Sequence, residues 1–267
     1  MTYAQSGFKV DGCWLDVSKV GRLWMVLHRP IEGMIKTLTI RRSSTNKWYV
    51  CFSCEVEINV LPHTDKLVGI DVGLTTFATF STGEQVKNPR FFRSEQKALA
   101  KVQRRLSKEE KGTKQRVKRR LPVSRVHERI RWRRENFAHH LSRRLVSEFG
   151  IIAFEDLNIK RMVKSHHLAK SITDAAWNQL VQFTTFKAEE AGRRVVLVDR
   201  RNTSKMCSRC GTLVKKKLSD RVHICSCGLT IDRDLNASFN ILRLGLQAVG
   251  IQSVEAHAVT VSVQRWE

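Results

Sequence analysis

Three acidic residues stand where a sequence can present carboxylates to a metal ion. Asp71 follows the short apolar run around LVGI, Glu155 closes the run GIIAF, and Asp234 opens a helical pattern just after a cysteine cluster. Hydrolysis of a phosphodiester builds charge on both the attacking and the leaving oxygen, and two divalent ions about 3.5–4 Å apart stabilise both. Hard ions such as Mg²⁺ take oxygen ligands, so such a site needs several acids converging from separate elements. The carboxyl edge of an open sheet suits them, because ligands bind in the crevice outside those strand ends. Each acid also has an ordinary reading: Asp71, ahead of Gly73, as a turn residue, and Asp234 as a helix N-terminal residue favoured by the macrodipole. Glu155 fits less easily, since a carboxylate directly after four apolar strand residues is costly to bury without ions or donors. Asp156, Asp199 and Asp232 compete for the same roles. Asp156 points to the opposite face from Glu155 if the strand continues; Asp199, at another strand end, is the strongest rival.

A second constellation is Cys207-Ser-Arg-Cys210 followed by Cys225-Ser-Cys227, two tight pairs with fourteen residues between them. A zinc ribbon needs two knuckles that each direct two thiolates at one tetrahedral Zn²⁺, and a gap of this size allows a short hairpin between them. Gly211 and Gly228 each follow a second cysteine, where a knuckle turn often needs positive φ. The second pair is one residue short of the usual spacing, and His223 is available as a substitute ligand. Four thiolates leave no open position for water, so this zinc is expected to be structural. Cys51 and Cys54 have the spacing of the first pair but lie inside an apparently continuous strand, where they face opposite sides. Cys13 reads as an ordinary small core residue.

The elements that must position these groups alternate in type. Residues 1–64 read as β structure, with strands predicted over Trp24–Leu27, Met34–Arg41 and Trp48–Val60 and a turn at Ser43–Lys47. KLVGIDVGL and TTFATFSTGE form two further strands. Residues 93–149 become a basic helical stretch broken near Leu121–Pro122, a two-helix hairpin. Gly150–Phe154 is a buried strand, Asp174–Gly192 a helix stopped by Gly192, and Arg194–Val198 another strand. Asp234 then begins a helix with Leu235, Phe239, Leu242 and Leu246 on one stripe. Strands alternating with helices argue an α/β sheet. The last twenty residues carry weak signals and receive no assignment.

Forty-eight Lys and Arg against twenty-five Asp and Glu leave a net charge of +23, which selects a polyanionic partner because neutralised phosphates release counterions. Seventeen of the basic residues and only four Glu lie between Lys101 and Arg144. Arg104, Arg105, Arg119, Arg120, Arg131 and Arg134 are therefore expected to contact nucleic-acid phosphates, with a merely solvated helix as the plainer alternative. No secretory signal opens the sequence and no membrane-length apolar run occurs, so a cytoplasmic protein with reduced thiols is expected.

GIDVGLTTFATFSTGE around Asp71, IIAFEDLNIKRMVKSHHLAKSITDAAW around Glu155, and NTSKMCSRCG with CSCGLTIDRDLNASFNI through to Asp234 resemble the TnpB (OrfB-type) transposon-encoded proteins, relatives of the type V CRISPR effectors. The order also matches: first acid, basic hairpin, second acid, zinc ribbon, third acid. The resemblance implies an RNA-guided DNA endonuclease that pairs a guide RNA with target DNA and cuts at one RuvC-like site. It places the catalytic and Mg²⁺-binding carboxylates on Asp71, Glu155 and Asp234, with two Mg²⁺, and one structural Zn²⁺ on Cys207, Cys210, Cys225 and Cys227. The fold it implies is a RuvC-like (RNase H-like) mixed sheet with helices. Its parts run as a partial wedge-like β-barrel (1–64), the first part of the nuclease domain (65–202) with the hairpin (93–149), a zinc ribbon (203–228), and the last part of the nuclease domain with a tail (229–267). Members of that family usually begin with a further stretch holding the start of the barrel and a helical recognition lobe. This chain opens in mid-barrel, which implies a whole catalytic core with impaired autonomous cutting. A competing reading is a binder of DNA or guide RNA that does not cut. A transposase using a nucleophilic tyrosine has no support, since Tyr3 and Tyr49 are the only tyrosines and lie in the wrong region.

Overall fold

The computed structural model describes residues 1–251 apart from 59, 165 and 218. The chain divides into two compact units: Met1–Asn59 with Glu95–Ile130, and Val60–Ser94 with the residues from Arg131 onward. The unassigned last residues lie outside the described part, apart from the end of the last helix and the turn after it. Among the described residues no helix is long and apolar enough to cross a membrane.

In the first unit six short strands form two antiparallel sheets. Strands β1 (Thr2–Ala4), β5 (Met34–Arg42) and β6 (Trp48–Glu55) pair in the order β1-β5-β6, and β2 (Phe8–Asp11), β3 (Trp14–Val17) and β4 (Gly21–Trp24) pair in sequence. Alternation sends Leu15, Val17 and Leu38 inward to a core shared with Phe8, Val50 and Phe52. The predicted turn closes β5 onto β6, with Ser43 N–H donating to the Lys47 carbonyl at 2.8 Å and Asn46 at φ +64°. The strand predicted from Trp24 instead ends there, paired with Trp14. Cys51 is exposed and Cys54 half-buried on β6, as alternation requires of that decoy pair.

The basic hairpin is two helices, α1 (Phe91–Ser107) and α2 (Lys114–Glu148), broken elsewhere than at the proline. Pro122 sits inside α2. The chain turns through Gly112, at φ +90°, and Thr113, whose hydroxyl accepts from Arg116 N–H at 3.2 Å as an N-terminal cap. A positive-φ glycine and a capping threonine thus mark the break, while α2 continues through the proline.

The second unit is built on a five-stranded mixed sheet in the order β11-β10-β7-β8-β9. Here β7 (Leu67–Val72), β10 (Ile151–Glu155) and β11 (Arg194–Val198) run parallel, β8 (Thr76–Phe80) runs antiparallel to β7, and β9 (Gln85–Lys87) runs antiparallel to β8. One face carries Val68, Ile70, Ile152 and Phe154 into a core with Leu145, Ile172, Trp177 and Leu180 from the end of α2, α4 (His166–Ala175) and α5 (Trp177–Glu190). The single helix predicted from Asp174 is two, because Ala176 adopts φ +54° between them. A short α3 (Ile159–Met162) precedes α4.

The other face packs α6 (Arg233–Ala248) through Ile241 onto Ala153, Val196 and Val198. The approach is close enough to require glycine. A Cβ on Gly69 of β7 would lie 2.2 Å from the Ser238 carbonyl oxygen and 2.5 Å from Leu242 N. Between β11 and α6 the chain makes the cysteine segment and a small antiparallel ladder, β12 (Val222–Ile224) with β13 (Thr230–Asp232).

Candidate active site and metal centre

Period-two alternation decides which face each acid occupies. On β7, Val68 and Ile70 enter the helical core, so Gly69 and Asp71 face α6. On β10, Ile152 and Phe154 do the same, so Ala153 and Glu155 face α6. The parallel register pairs Ala153 with Gly69 and Phe154 with Ile70, which sets Glu155 beside Asp71 at the carboxyl ends of neighbouring strands. Asp234 is in the first turn of α6, whose start is fixed by Asp232: its carboxylate accepts from the N–H groups of Asp234 and Leu235 at 2.8 and 3.0 Å.

Glu155 and Asp234 both act on the Asp71 carboxyl. Burial pushes the Asp71 carboxyl well above the usual carboxylate range, and repulsion from Glu155 and then Asp234 pushes it further, with Arg233 opposing. Burial also raises Glu155, against a hydrogen bond from the Thr203 hydroxyl and the charge of Arg200. Asp234 is held by Arg233, 2.9 Å from Oδ1, and lies 3.9 Å from Arg221. Arg221 also donates to the Thr75 hydroxyl at 3.1 Å, so it bridges the ribbon and the β7–β8 turn. With Glu155 drawn to Thr203 and Asp234 to Arg233, the three carboxylates converge on one edge without closing into a tight cage. Among the described residues, only the four cysteines form a group of three or more ligand atoms all within 4.8 Å. The donor set nonetheless suits hard divalent ions: oxygen ligands from three separate elements, one of them desolvated and electrostatically strained.

The rival acids are placed elsewhere. Asp156 is exposed, just past the end of β10. Asp199 is 65 % exposed and paired with Arg201. Asp232 contributes a weaker repulsion to Asp71 and otherwise caps α6. Sequence reasoning did not single out Thr203, Arg221 or Arg233. Arg233 lies within the DRD triplet, whereas the other two carry no local signal.

In the cysteine segment, Cys207 Sγ lies 3.7 Å from Cys227 Sγ and Cys210 Sγ 3.6 Å from Cys225 Sγ. A tetrahedral Zn²⁺ with Zn–S bonds of about 2.3 Å has sulfur–sulfur edges of about 3.8 Å, so the thiols fit such an ion. Both knuckles close on their glycine: Gly211 N–H donates to the Cys207 carbonyl and Gly228 N–H to that of Cys225, at φ +76° and +85°. The second turn is one residue tighter, which accommodates the shortened spacing. Hydrogen bonds from Thr212 hold the Cys210 thiol down to about 6, so a first thiolate forms readily. His223 is fully buried on β12 outside the four-thiol group, and neither ring nitrogen has a protein partner.

The predicted phosphate contacts differ in their surroundings. Arg104, Arg105, Arg120 and Arg131 are exposed. Arg131 lies 3.7 Å from Glu135, and Arg119 pairs with Glu109 at 3.2 Å. Arg134 departs from the expectation. Its guanidinium turns inward and donates to the buried Asp174 carboxylate at 2.8 and 3.1 Å. Asp174 also accepts from Phe92 N–H, so it anchors the start of α1 to the end of α4.

Fold and site together define an α/β chain with a carboxylate cluster at a sheet edge and a four-cysteine ribbon ahead of α6. Residues 50–166 match the OrfB_IS605 family model, described as a probable transposase, and residues 177–241 match the TNB domain of Cas12f1-like proteins. A Streptomyces pristinaespiralis protein named as a candidate RNA-guided DNA endonuclease is 43 % identical over 92 % of this chain and 62 % of its own length. InsQ of Escherichia coli K12, named in the same way, is 29 % identical over 90 % of this chain and 64 % of its own. "TnpB-like protein L79" of Acanthamoeba polyphaga mimivirus is 26 % identical over 82 % of this chain. The chain thus spans under two thirds of the length of these relatives. A chain of a CRISPR–Cas12f ternary complex shares the fold at a TM-score of 0.50 and 19 % identity, covering 78 % of this chain and 45 % of that one. Over most of its length the chain is thus similar to TnpB-like proteins and to proteins named as RNA-guided DNA endonucleases.

Proposed function

We propose that this chain is the cutting portion of an RNA-guided DNA endonuclease of a transposable element, with one RuvC-like, RNase H-like site at Asp71, Glu155 and Asp234. The parallel β7, β10 and β11, the reversed β8 between β7 and β9, and the acids aligned on the α6 side support that reading of the fold. Its single strongest support is the Asp71 carboxyl, raised by burial and by Glu155 and Asp234 together. A protein gathers three mutually repelling acids from separate elements where cations are to be held.

In this reading the three acids hold two Mg²⁺, which when bound supply charge stabilisation for the attacking and leaving oxygens. Asp71 and Glu155 on neighbouring strands and Asp234 on α6 would be the residues that hold those ions. Thr203 keeps the Glu155 carboxylate in place, and Arg221 stands beside Asp234 where it can meet a phosphate oxygen. One Zn²⁺ on Cys207, Cys210, Cys225 and Cys227 holds the ribbon. Arg104, Arg105, Arg119, Arg120 and Arg131 contact phosphates, while guide RNA pairing with DNA reads sequence. The protein acts in the cytosol at the nucleoid. Residues 1–64 serve as part of a wedge-like barrel.

The test is cleavage of end-labelled DNA with guide RNA and Mg²⁺, using wild type and Asp71→Ala. Cutting lost in Asp71→Ala and in EDTA supports the proposal; cutting retained in a pure Asp71→Ala sample refutes it. The pairing of Asp234 with Arg233 favours a second reading, in which the acids are internal counter-charges in a binder that does not cut. Nucleic acid bound without Mg²⁺-dependent products from any guide would establish that alternative.

A further inference from the structure

Thr203, Asn236 and Asn240 are almost wholly buried polar residues, and of the three the proposed chemistry calls only on the Thr203 hydroxyl, at Glu155. They form one connected path. Asn236 accepts from Ser208 N–H at 3.0 Å and donates to the Met206 carbonyl at 2.8 Å. Asn240 donates to the Thr203 and Met206 carbonyls at 2.8 and 2.7 Å. Both asparagines rise from α6 within two turns of Asp234, and the backbone they clamp enters the first knuckle at Cys207. At the head of that segment the Thr203 hydroxyl donates to Glu155 Oε1. Two side-chain amides therefore fasten the cysteine segment to the helix carrying one acid, and a hydroxyl on the fastened segment holds another.

We infer that Thr203, set by Asn236 and Asn240, is the positioning residue for Glu155, and that it makes the cysteine knuckle and the carboxylate edge one mechanical unit. The inference rests on the proposed ion-binding role of Glu155. A hydroxyl can orient a carboxylate this way only if its own backbone is fixed, and buried amide bonds fix it more firmly than an exposed loop could. Partners one step removed from a metal contribute about 10- to 100-fold to metal affinity by orienting the direct ligands.

The experiment titrates Mn²⁺ into the zinc-loaded full chain and follows zinc release to a chromogenic chelator, for wild type, Asp71→Asn, Thr203→Val, Thr203→Ser and Asn240→Leu. Wild type binds Mn²⁺ and Asp71→Asn does not. Thr203→Val loses about 10- to 100-fold in Mn²⁺ affinity with zinc release unchanged, and Thr203→Ser restores it. Asn240→Leu weakens Mn²⁺ binding and speeds zinc release together. Wild-type Mn²⁺ affinity in Thr203→Val overturns the inference alone, as does faster zinc release in Asn240→Leu with Mn²⁺ affinity intact. Faster zinc release in Thr203→Val shows a general loosening and also overturns it. Wild type that binds no Mn²⁺ sensitive to Asp71→Asn overturns the proposed function and this inference with it.

Discussion

Replacing Gly69 by alanine tests whether α6 is held where the carboxylates need it. The new Cβ would sit 2.2 Å from the Ser238 carbonyl oxygen, 2.5 Å from Leu242 N and 2.8 Å from Leu242 Cβ, where ordinary contact starts at 3.4 Å. Two of these atoms are helix backbone, so no rotamer change relieves the clash, and α6 must withdraw by about 1 Å, the shortfall in contact distance. Overpacking of this kind costs about 1–3 kcal/mol. For a unit of this size that lowers the melting temperature by about 2–4 °C per kcal/mol. Asp234 moves with its helix while Asp71 and Glu155 stay on the sheet, and a displacement of about 1 Å at a reacting centre can cost about 100-fold in rate. The assays are chemical denaturation and Mg²⁺-dependent cleavage, with Gly245→Ala as comparison. There the Cβ would press on the Ala153 Cβ at 2.7 Å, toward the far end of α6 from Asp234. Gly245→Ala is expected to lose stability while keeping more of its cleavage rate than Gly69→Ala. A Gly69→Ala protein with a wild-type denaturation midpoint and rate would refute the packing argument.

Asp71→Asn is expected to stabilise the Mg²⁺-free protein. The folded chain disfavours the ionised Asp71, so its contribution is fullest below the ordinary value of 3.8 and is lost as pH rises through the raised folded value. The variant's melting advantage should be present at neutral pH and fade as pH falls toward 4; an Asp71→Asn protein less stable than wild type at pH 7 contradicts this. Cys225→Ser should abolish stoichiometric zinc and open residues 203–228 to proteolysis while the sheet persists, and retained zinc would argue against the four-thiol site. Arg134→Ala leaves the buried Asp174 without its cation and should cost about 3 kcal/mol in denaturation. Arg104→Ala with Arg105→Ala should leave stability unchanged and lower the slope of log affinity against log salt by about 0.9 per lost phosphate contact. A salt slope equal to wild type would remove those two arginines from the interface.

The acids were legible because each closes an apolar run or opens a helix, and alternation alone predicts that Asp71 and Glu155 share a face while Asp156 does not. The glycines after the cysteine pairs announced the knuckle turns for the same local reason. What escaped was long-range. Nothing near Arg134 tells that its partner is Asp174, forty residues on, and the high density of positive charge around it suggested solvent instead. Thr203 looks like any loop threonine until the fold sets it against Glu155. The hairpin break was misplaced because proline is the stronger textual cue, yet α2 tolerates it, and the glycine with its capping threonine made the turn. The earliest strands, β1 to β3, are too short to show a clear period. Their pairing depends on partners such as β5, far along the chain.

Asp232 is at once the last rung of the ribbon's ladder, opposite Val222, and the residue that starts α6. No slack separates the two elements. One amino acid inserted between Asp232 and Asp234 would swing every later side chain by about 100° around the helix axis. Insertions and deletions in this chain should therefore be accepted in the stretch joining the two knuckles and rejected at the junction, so length variation there is confined to one side of a single aspartate.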